Sequence, residues 1–511
     1  MRQARAEARK ELMTDVVLTH SYHLANDPKQ LRKMQPYAPL GTLYAAAALR
    51  SAGVSVAVFD TTLQDPMDSF AQVLRRHRPG IVVIYEDDFN FLSKMCLTSM
   101  RATAKRITRI AQDAGAIVVA HGSDASDHAA DYLEAGVDYV LTGEAEQTLT
   151  ELCSSLLSER PITSIPGVLR RDARGNLVAG TAEGVKNIGW SKIPRAAREL
   201  IDLEPYREAW TGAHGYFSAN VVASRGCPYQ CNWCAKPISG NKFQVRPAES
   251  VVAEIRELKE LYGVEHIWFG DDIFALNRKW TEEFADAMQQ QKCILPFKIQ
   301  SRADLMTQST VEALARAGCA EVWMGIESGS QAILDAMDKG LRVADVDGAR
   351  GRLKAAGIRA CYFLQFGYPG ESWAEIQQTL ALVRSTRPDD IGVSVSYPLP
   401  GTAFYERVRA QIGSKRNWTD SDDLCVMFTA AYNNDFYLAI RDALHAEVDS
   451  WKPGSTVSAS AVRAAWDNIR EREPKARNPN ATEFTAPAPV VANRMQDFVP
   501  LQHLSTAGGH A

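Results

Sequence analysis

Five short apolar runs open the chain, at residues 15–20, 54–60, 80–85, 116–120 and 138–143, and the stretches between them carry apolar residues at helical spacing. Runs of this length that are apolar without alternation, each followed by a helical pattern, predict βαβ units and a parallel sheet covered on both faces. The first unit is therefore read as a doubly wound domain over residues 14–160. Ligands of such domains sit beyond the carboxyl ends of the strands. That rule gathers residues 20–22, 86–88, 121–124 and 142–146 around one crevice, with His20, His121, Gly122, Ser123, Gly143 and Glu144 as candidate contacts.

Between 161 and 216 the pattern loosens, and Pro161, Pro166, Pro194 and Pro205 punctuate short segments, which reads as a linker. A second unit, 217–430, repeats strand and helix six times, with strand-like runs at 217–224, 265–270, 296–300, 321–326, 359–366 and 391–396. Six βα units predict a partial barrel, and in barrels chemistry collects at the carboxyl ends of the strands. Those ends carry Asp271 and Asp272, Ser301 and Arg302, Glu327, and a turn from Gly367 to Gly370. Residues 431–452 have helical apolar spacing and are expected to cap the barrel. From 453 the chain becomes rich in Pro, Ala, Asn and Thr, a composition expected to be poorly ordered.

A length of 511 residues allows two to four domains. The formal charge of −4 is small and the basic residues are dispersed, which argues against nucleic-acid binding. Residues 1–10 are charged and no long apolar run follows, so neither a secretory signal nor an integral membrane span is expected. Of nine cysteines, Cys96, Cys153, Cys293, Cys319, Cys361 and Cys425 are scattered without paired spacing. That usage speaks for a reducing cytoplasm and against a disulfide framework.

The other three, Cys227, Cys231 and Cys234, form a C-x3-C-x2-C triplet. Three thiolates in eight residues can hold three irons of a [4Fe–4S] cube and leave the fourth iron open. A structural zinc site would ordinarily be closed by a fourth ligand, and the nearest candidates, His214 and His266, lie outside the loop. The triplet, with Trp233 just before its last cysteine, resembles the signature of the radical S-adenosylmethionine (SAM) superfamily. The resemblance implies SAM on the open iron, and it turns the strand-end residues into its candidate contacts. Arg302 would be the natural partner of the SAM carboxylate, Glu327 could accept from ribose hydroxyls, and the Gly367–Gly370 turn could bring main chain close to the adenine. Asp271 and Asp272 stand where that family often has a motif touching the SAM amino group, and the match there is partial.

Residues 14–160 resemble the cobalamin-binding domain that precedes the barrel in one large subgroup of that superfamily, through residues 36–45 and 135–146. The D-x-H-x-x-G motif that supplies a cobalt-ligating His in cobalamin mutases is absent, since His128 follows Asp127 directly. The resemblance thus implies cobalamin bound without a protein His on cobalt. The whole order, to about residue 450, looks like class B radical SAM enzymes, and within that class the run at residues 20–34 looks most like the anaerobic magnesium-protoporphyrin monomethyl ester cyclase and its relatives. The fold class expected is α/β: a doubly wound, Rossmann-like cobalamin-binding domain, a partial (β/α)6 radical SAM barrel and a helical C-terminal extension. Expected cofactors are a [4Fe–4S] cluster, SAM and cobalamin, with a flavodoxin- or ferredoxin-type electron donor. The substrate would be a small molecule such as a lipid, porphyrin or secondary metabolite. Three functions compete: methylation or other modification of an unactivated carbon, oxidative cyclisation, and a non-catalytic cobalamin or iron–sulfur sensor.

Overall fold

The computed structural model describes residues 14–90, 94–162, 165–180, 189–190, 193–236 and 238–481; the charged N-terminal run at 1–13 and the tail beyond 481 lie outside the described residues. Its first sheet holds β1 (Val16–Thr19), β2 (Val56–Phe59), β3 (Ile81–Tyr85), β4 (Ile117–His121), β5 (Tyr139–Leu141), β6 (Val168–Arg171) and β7 (Leu177–Ala179), in the order β2-β1-β3-β4-β5-β6-β7. The first five run parallel. Because successive side chains of a strand point to opposite faces, both faces must be apolar when helices cover both. Val16, Leu18, Ile81 and Val83 accordingly enter one core, while Val17, Val82 and Ile84 enter another.

β6 and β7 correct the reading of 161–216 as a linker. They extend the first sheet antiparallel to β5, and the same stretch supplies the helix Glu204–His214. Leu200, Ala197 and Ile165 pack on the first core, so the sheet unit continues past residue 160.

The second sheet follows from β8 (Ser218–Val221), β11 (His266–Phe269), β12 (Phe297–Ser301), β13 (Cys319–Glu327), β14 (Arg359–Phe366) and β15 (Asp390–Val395). Between β8 and β11 a two-stranded antiparallel ribbon, β9 (Ser224–Arg225) and β10 (Gln244–Val245), closes the cysteine loop. The six long strands are all parallel, in the order β15-β14-β13-β12-β11-β8, which is a barrel left open between its edge strands. A segment of the first unit leans on that opening: Tyr37 OH lies 3.1 Å from Ser218 Oγ, Asn220 Nδ2 donates to the Ala38 carbonyl at 2.8 Å, and Trp210 Nε1 donates to the Pro36 carbonyl at 2.7 Å.

The helix Asn434–Ser450 packs on the barrel core through Phe436, Tyr437, Ile440 and Leu444. Beyond it, the expectation of a structureless stretch from 453 is overturned by the helix Ala459–Ala476. Ser458 caps its first turn, and Val462, Trp466 and Ile469 bury one face. Trp466 Nε1 donates to Glu447 of the preceding helix at 2.7 Å, so tertiary packing secures a segment whose composition alone looked weak.

Candidate functional site

The cysteine loop leaves the ribbon at Gly226, whose φ of +77° and surroundings admit no side chain: a Cβ there would stand 1.8 Å from the Lys242 carbonyl oxygen. Lys236 ties the loop to itself through the carbonyls of Cys227 (3.1 Å) and Tyr229. Asn232, buried between the second and third cysteines, ties it to the barrel. Its Nδ2 donates to the Ala336 carbonyl and to Asp338, both at 2.8 Å, its N–H donates to the Met337 carbonyl at 3.0 Å, and its Oδ1 accepts from Tyr368 OH at 2.7 Å. Cys227, Cys231 and Cys234 remain free and partly exposed. Burial, then Asp272 beside it, pushes the Cys234 thiol up to about 12, so the thiolate form calls for a cation. Among the described residues no three His, Cys, Asp or Glu side chains are already drawn into a metal cage. A donor set of three free thiols on one anchored loop nevertheless suits iron–sulfur ligation.

The strand-end residues surround this loop, most of them already partnered. Asp271 is buried beneath it and accepts from the Ala223 N–H (3.0 Å) and the Ser224 hydroxyl; burial pushes its carboxyl up to about 7. Asp272 pairs with Lys94 from the first unit. Ser301 donates to the Phe274 carbonyl at 2.8 Å. Arg302 stacks over Tyr229 of the loop at 3.8 Å, bonds Asp304 through Nε (2.9 Å) and Nη2 (3.2 Å), and donates to the carbonyls of Lys339 (2.8 Å) and Gly340 (3.1 Å). Its fork is therefore engaged within the protein, where the sequence reading kept it for a ligand carboxylate. Glu327 sits at a β-bulge with φ +64° and accepts from Lys339 Nζ at 2.7 Å. Lys339 in turn faces Trp233, whose buried Nε1 has no partner. In the turn after β14, Gly367 has φ +80° and Gly370 has φ +89°, and a Cβ on Gly367 would crowd the Tyr437 ring at 3.2 Å. Tyr368, between those glycines, is the residue that holds Asn232.

From the other side, the carboxyl ends of the first sheet meet this rim in one crevice. Gly41, Tyr85, Asp88, Lys94, Glu144 and Glu146 line it from the first unit, and Ser224, Arg225, Gly226, Lys236 and Asp272 from the second. Of the residues expected to bind cofactor, Glu144 and Asp272 reach the crevice. His121 lies beneath it, fully buried and stacked on Tyr85 at 4.0 Å; its Nε2–H donates to the Gly143 carbonyl at 2.9 Å, and burial holds it neutral, near 4. Gly122 packs against the Glu86 side chain, and Ser123 keeps a buried hydroxyl without a partner. His20 is turned into the β1–β2 end, 2.9 Å from Asp60.

Sequence reasoning missed the link between the two units. Arg225 and Glu146 form a buried ion pair, and the guanidinium also lies 3.7 Å over the Trp190 ring. Arg225 stands two residues before Cys227, which was a signal of position, but its partner is 79 residues away in sequence. Asn232, inside the triplet, gave no such signal.

Two family descriptions match the chain: "B12 binding domain" over residues 35–153 and "Radical SAM superfamily" over residues 221–383. An uncharacterized methyltransferase of Pyrococcus horikoshii is 27% identical over 271 residues, 53% of this chain and 58% of that protein. The anaerobic magnesium-protoporphyrin IX monomethyl ester cyclase of Synechocystis sp. is 25% identical over 321 residues, 60% of each. The chain thus spans about three fifths of the length of these relatives. The solved structure of the radical S-adenosylmethionine methyltransferase TsrM from Kitasatospora setae, with cobalamin and a [4Fe–4S] cluster bound, matches with a TM-score of 0.64 at 20% identity over 78% of both chains. At that identity the likeness is one of fold.

Proposed function

We propose, from the premise that this chain is a radical SAM superfamily protein with a B12 binding domain ahead of its barrel, that it methylates or otherwise modifies an unactivated carbon of a small molecule. One observation carries the reading: the carboxyl ends of the first sheet and the cysteine loop open into the same crevice, bridged by Glu146 and Arg225. When bound, the cluster with SAM supplies a radical that removes hydrogen, and cobalamin supplies methyl-transfer chemistry.

The chain's part is to bind, orient and exclude water. Cys227, Cys231 and Cys234 would hold the cluster, with Asn232 and Gly226 fixing the loop that presents them. Asp271, Asp272, Ser301, Arg302, Glu327, Trp233, Gly367 and Gly370 would shape the SAM site. Arg302 does so by bracing the Lys339–Gly340 carbonyls and Tyr229, and Asp271 by holding the strand end under the loop. Glu144 would meet cobalamin directly, while His121, Gly122, Ser123 and Gly143 form the layer beneath and His20 braces the adjoining strand end. His20 is held by Asp60 and Thr61, and His121 is fully buried beneath the crevice with Nε2 on the Gly143 carbonyl and Nδ1 turned to Asp88 at 3.4 Å, which supports cobalamin without a protein His on cobalt. The electron would come from a flavodoxin- or ferredoxin-type donor. Nine free cysteines fit a reducing cytoplasm, and no described helix is long and apolar enough to cross a membrane.

The test is anaerobic reconstitution with iron, sulfide and cobalamin, then incubation with SAM and a reductant. Wild type should form 5′-deoxyadenosine, and replacing all three loop cysteines by Ala should abolish it together with the iron–sulfur absorbance. Four irons per chain retained in that variant would sink the assignment. Oxidative cyclisation is the second reading, favoured by the cyclase relative; deoxyadenosine without any methylated product would select it.

A further inference from the structure

The barrel sheet departs from the rule that parallel sheets are covered on both faces. Its outer face is covered: Ile267, Phe269, Ile299, Val322 and Leu364 are buried. The inner face is covered only in part: Trp268, Lys298, Gln300, Trp323, Phe363 and Ser394, on five adjacent strands, keep some solvent exposure, while Cys361 and Gln365 of the same face are buried. Trp323 and Phe363 stack at 4.8 Å, and Tyr37 lies 4.6 Å from Trp268. Gly392 leaves the first pair bare, since a Cβ there would stand 3.0 Å from Phe363 and 3.5 Å from Trp323.

Lys298 is the one cation among these inner-face residues. Its Nζ lies 5.6 Å from the Tyr37 ring and 5.8 Å from Trp268, and among the described residues it has no hydrogen bond or ion pair. Glu321, its in-register neighbour on β13, is taken by Arg359 and by Trp323 Nε1. Burial lowers the Lys298 ammonium to about 8, Glu321 pulls it back up and the neighbouring Lys33 pushes it down, so a charge is held in a low-dielectric trough with no bonded counterion. Three residues separate Lys298 from Ser301 at the rim, which at ~3.3 Å per residue sets the ammonium's strand position about 10 Å below the cysteine loop's level.

We infer that this inner face seats the substrate and that Lys298 selects it: a flat, largely apolar molecule with a carboxylate about 10 Å from the carbon that reacts. Aromatic faces favour a planar body, and an ammonium with no bonded partner favours an anionic group on it. The inference rests on the proposed function for the position of the reacting carbon, and on the barrel alone for the anion.

The test uses the protein reconstituted with iron, sulfide and cobalamin, whose absorbance is checked first; absent cofactor bands would count against the proposed function and leave the binding result to be read by itself. Tryptophan emission is then followed while 1-pyrenebutyrate or its methyl ester is added. Wild type should bind the acid at least tenfold more tightly than the ester. Lys298→Met should bring the two within twofold while leaving ester affinity unchanged, Lys298→Arg should keep the preference, and Trp323→Ala should weaken both probes. Equal affinity of wild type for acid and ester, a preference that survives Lys298→Met, or indifference to Trp323→Ala would overturn the inference.

Discussion

Replacing Glu146 by Leu tests how the two units are held together. The carboxylate and the Arg225 guanidinium have side chains only 5% and 6% exposed, so the substitution leaves a buried cation without its anion. Breaking a buried pair in this way costs about 3–5 kcal/mol. The Trp190 ring 3.7 Å from the guanidinium offsets part of that, on the order of 1–2 kcal/mol for a desolvated cation–π contact, which leaves a net cost of about 1–4 kcal/mol. Arg225→Met should be milder, because an unpaired buried carboxyl can take up a proton. The double variant, with both charges replaced by apolar groups, should recover stability, so its cost falls well below the sum of the singles. Urea denaturation of the four proteins reads these differences. The pH profile supplies a check of sign. Burial pushes Glu146 up, but the charge of Arg225 outweighs it and holds the carboxyl below its ordinary value. The pair's contribution is therefore full above the unfolded carboxylate value of about 4.3 and fades as pH falls through the lower folded value. The gap between wild type and Glu146→Leu should stay level from about pH 5 to pH 8. Additive costs in the double variant, or a single-variant cost below about 1 kcal/mol, would refute the reasoning.

Other parts of the site make separate predictions. Glu371 is buried, accepts from the Gly367 N–H, and is pushed up to about 8 by burial. Folding thus retains its proton, and this group alone makes stability fall by about 1.4 kcal/mol per pH unit between roughly pH 5 and pH 8; in Glu371→Gln the slope of melting stability against pH should be shallower than in wild type by that amount. Arg302→Lys cannot reproduce the paired bonds to Asp304, and should lower stability by about 1.5–3 kcal/mol while SAM affinity changes less than about threefold. A tenfold loss of SAM affinity with an unchanged melting curve would instead place the guanidinium on the ligand. Paramagnetic resonance of bound Co(II) should show no nitrogen splitting from a protein axial base, and a splitting that disappears on replacing His121 would contradict the buried, Gly143-bonded position of that ring.

Much of the architecture could be read locally. Apolar runs such as 80–85 and 116–120 became β3 and β4, six further runs became the barrel strands, and the cysteine spacing identified the loop that carries three thiols. These signals work because strand burial and ligand spacing are written within a few neighbouring residues. β6 and β7 escaped because they are short, half-exposed strands whose only reason to form is an edge offered by β5. The helix Ala459–Ala476 escaped because its apolar face becomes decisive only against the preceding helix. Side-chain partners were the least legible of all. Whether Arg302 meets a ligand or Asp304, whether Glu327 is free or held by Lys339, and that Arg225 finds Glu146 depend on which strand ends arrive together. Propensity and spacing act over one or two turns of chain, whereas the energy of a buried charge is set by whatever the fold brings within a few ångströms of it.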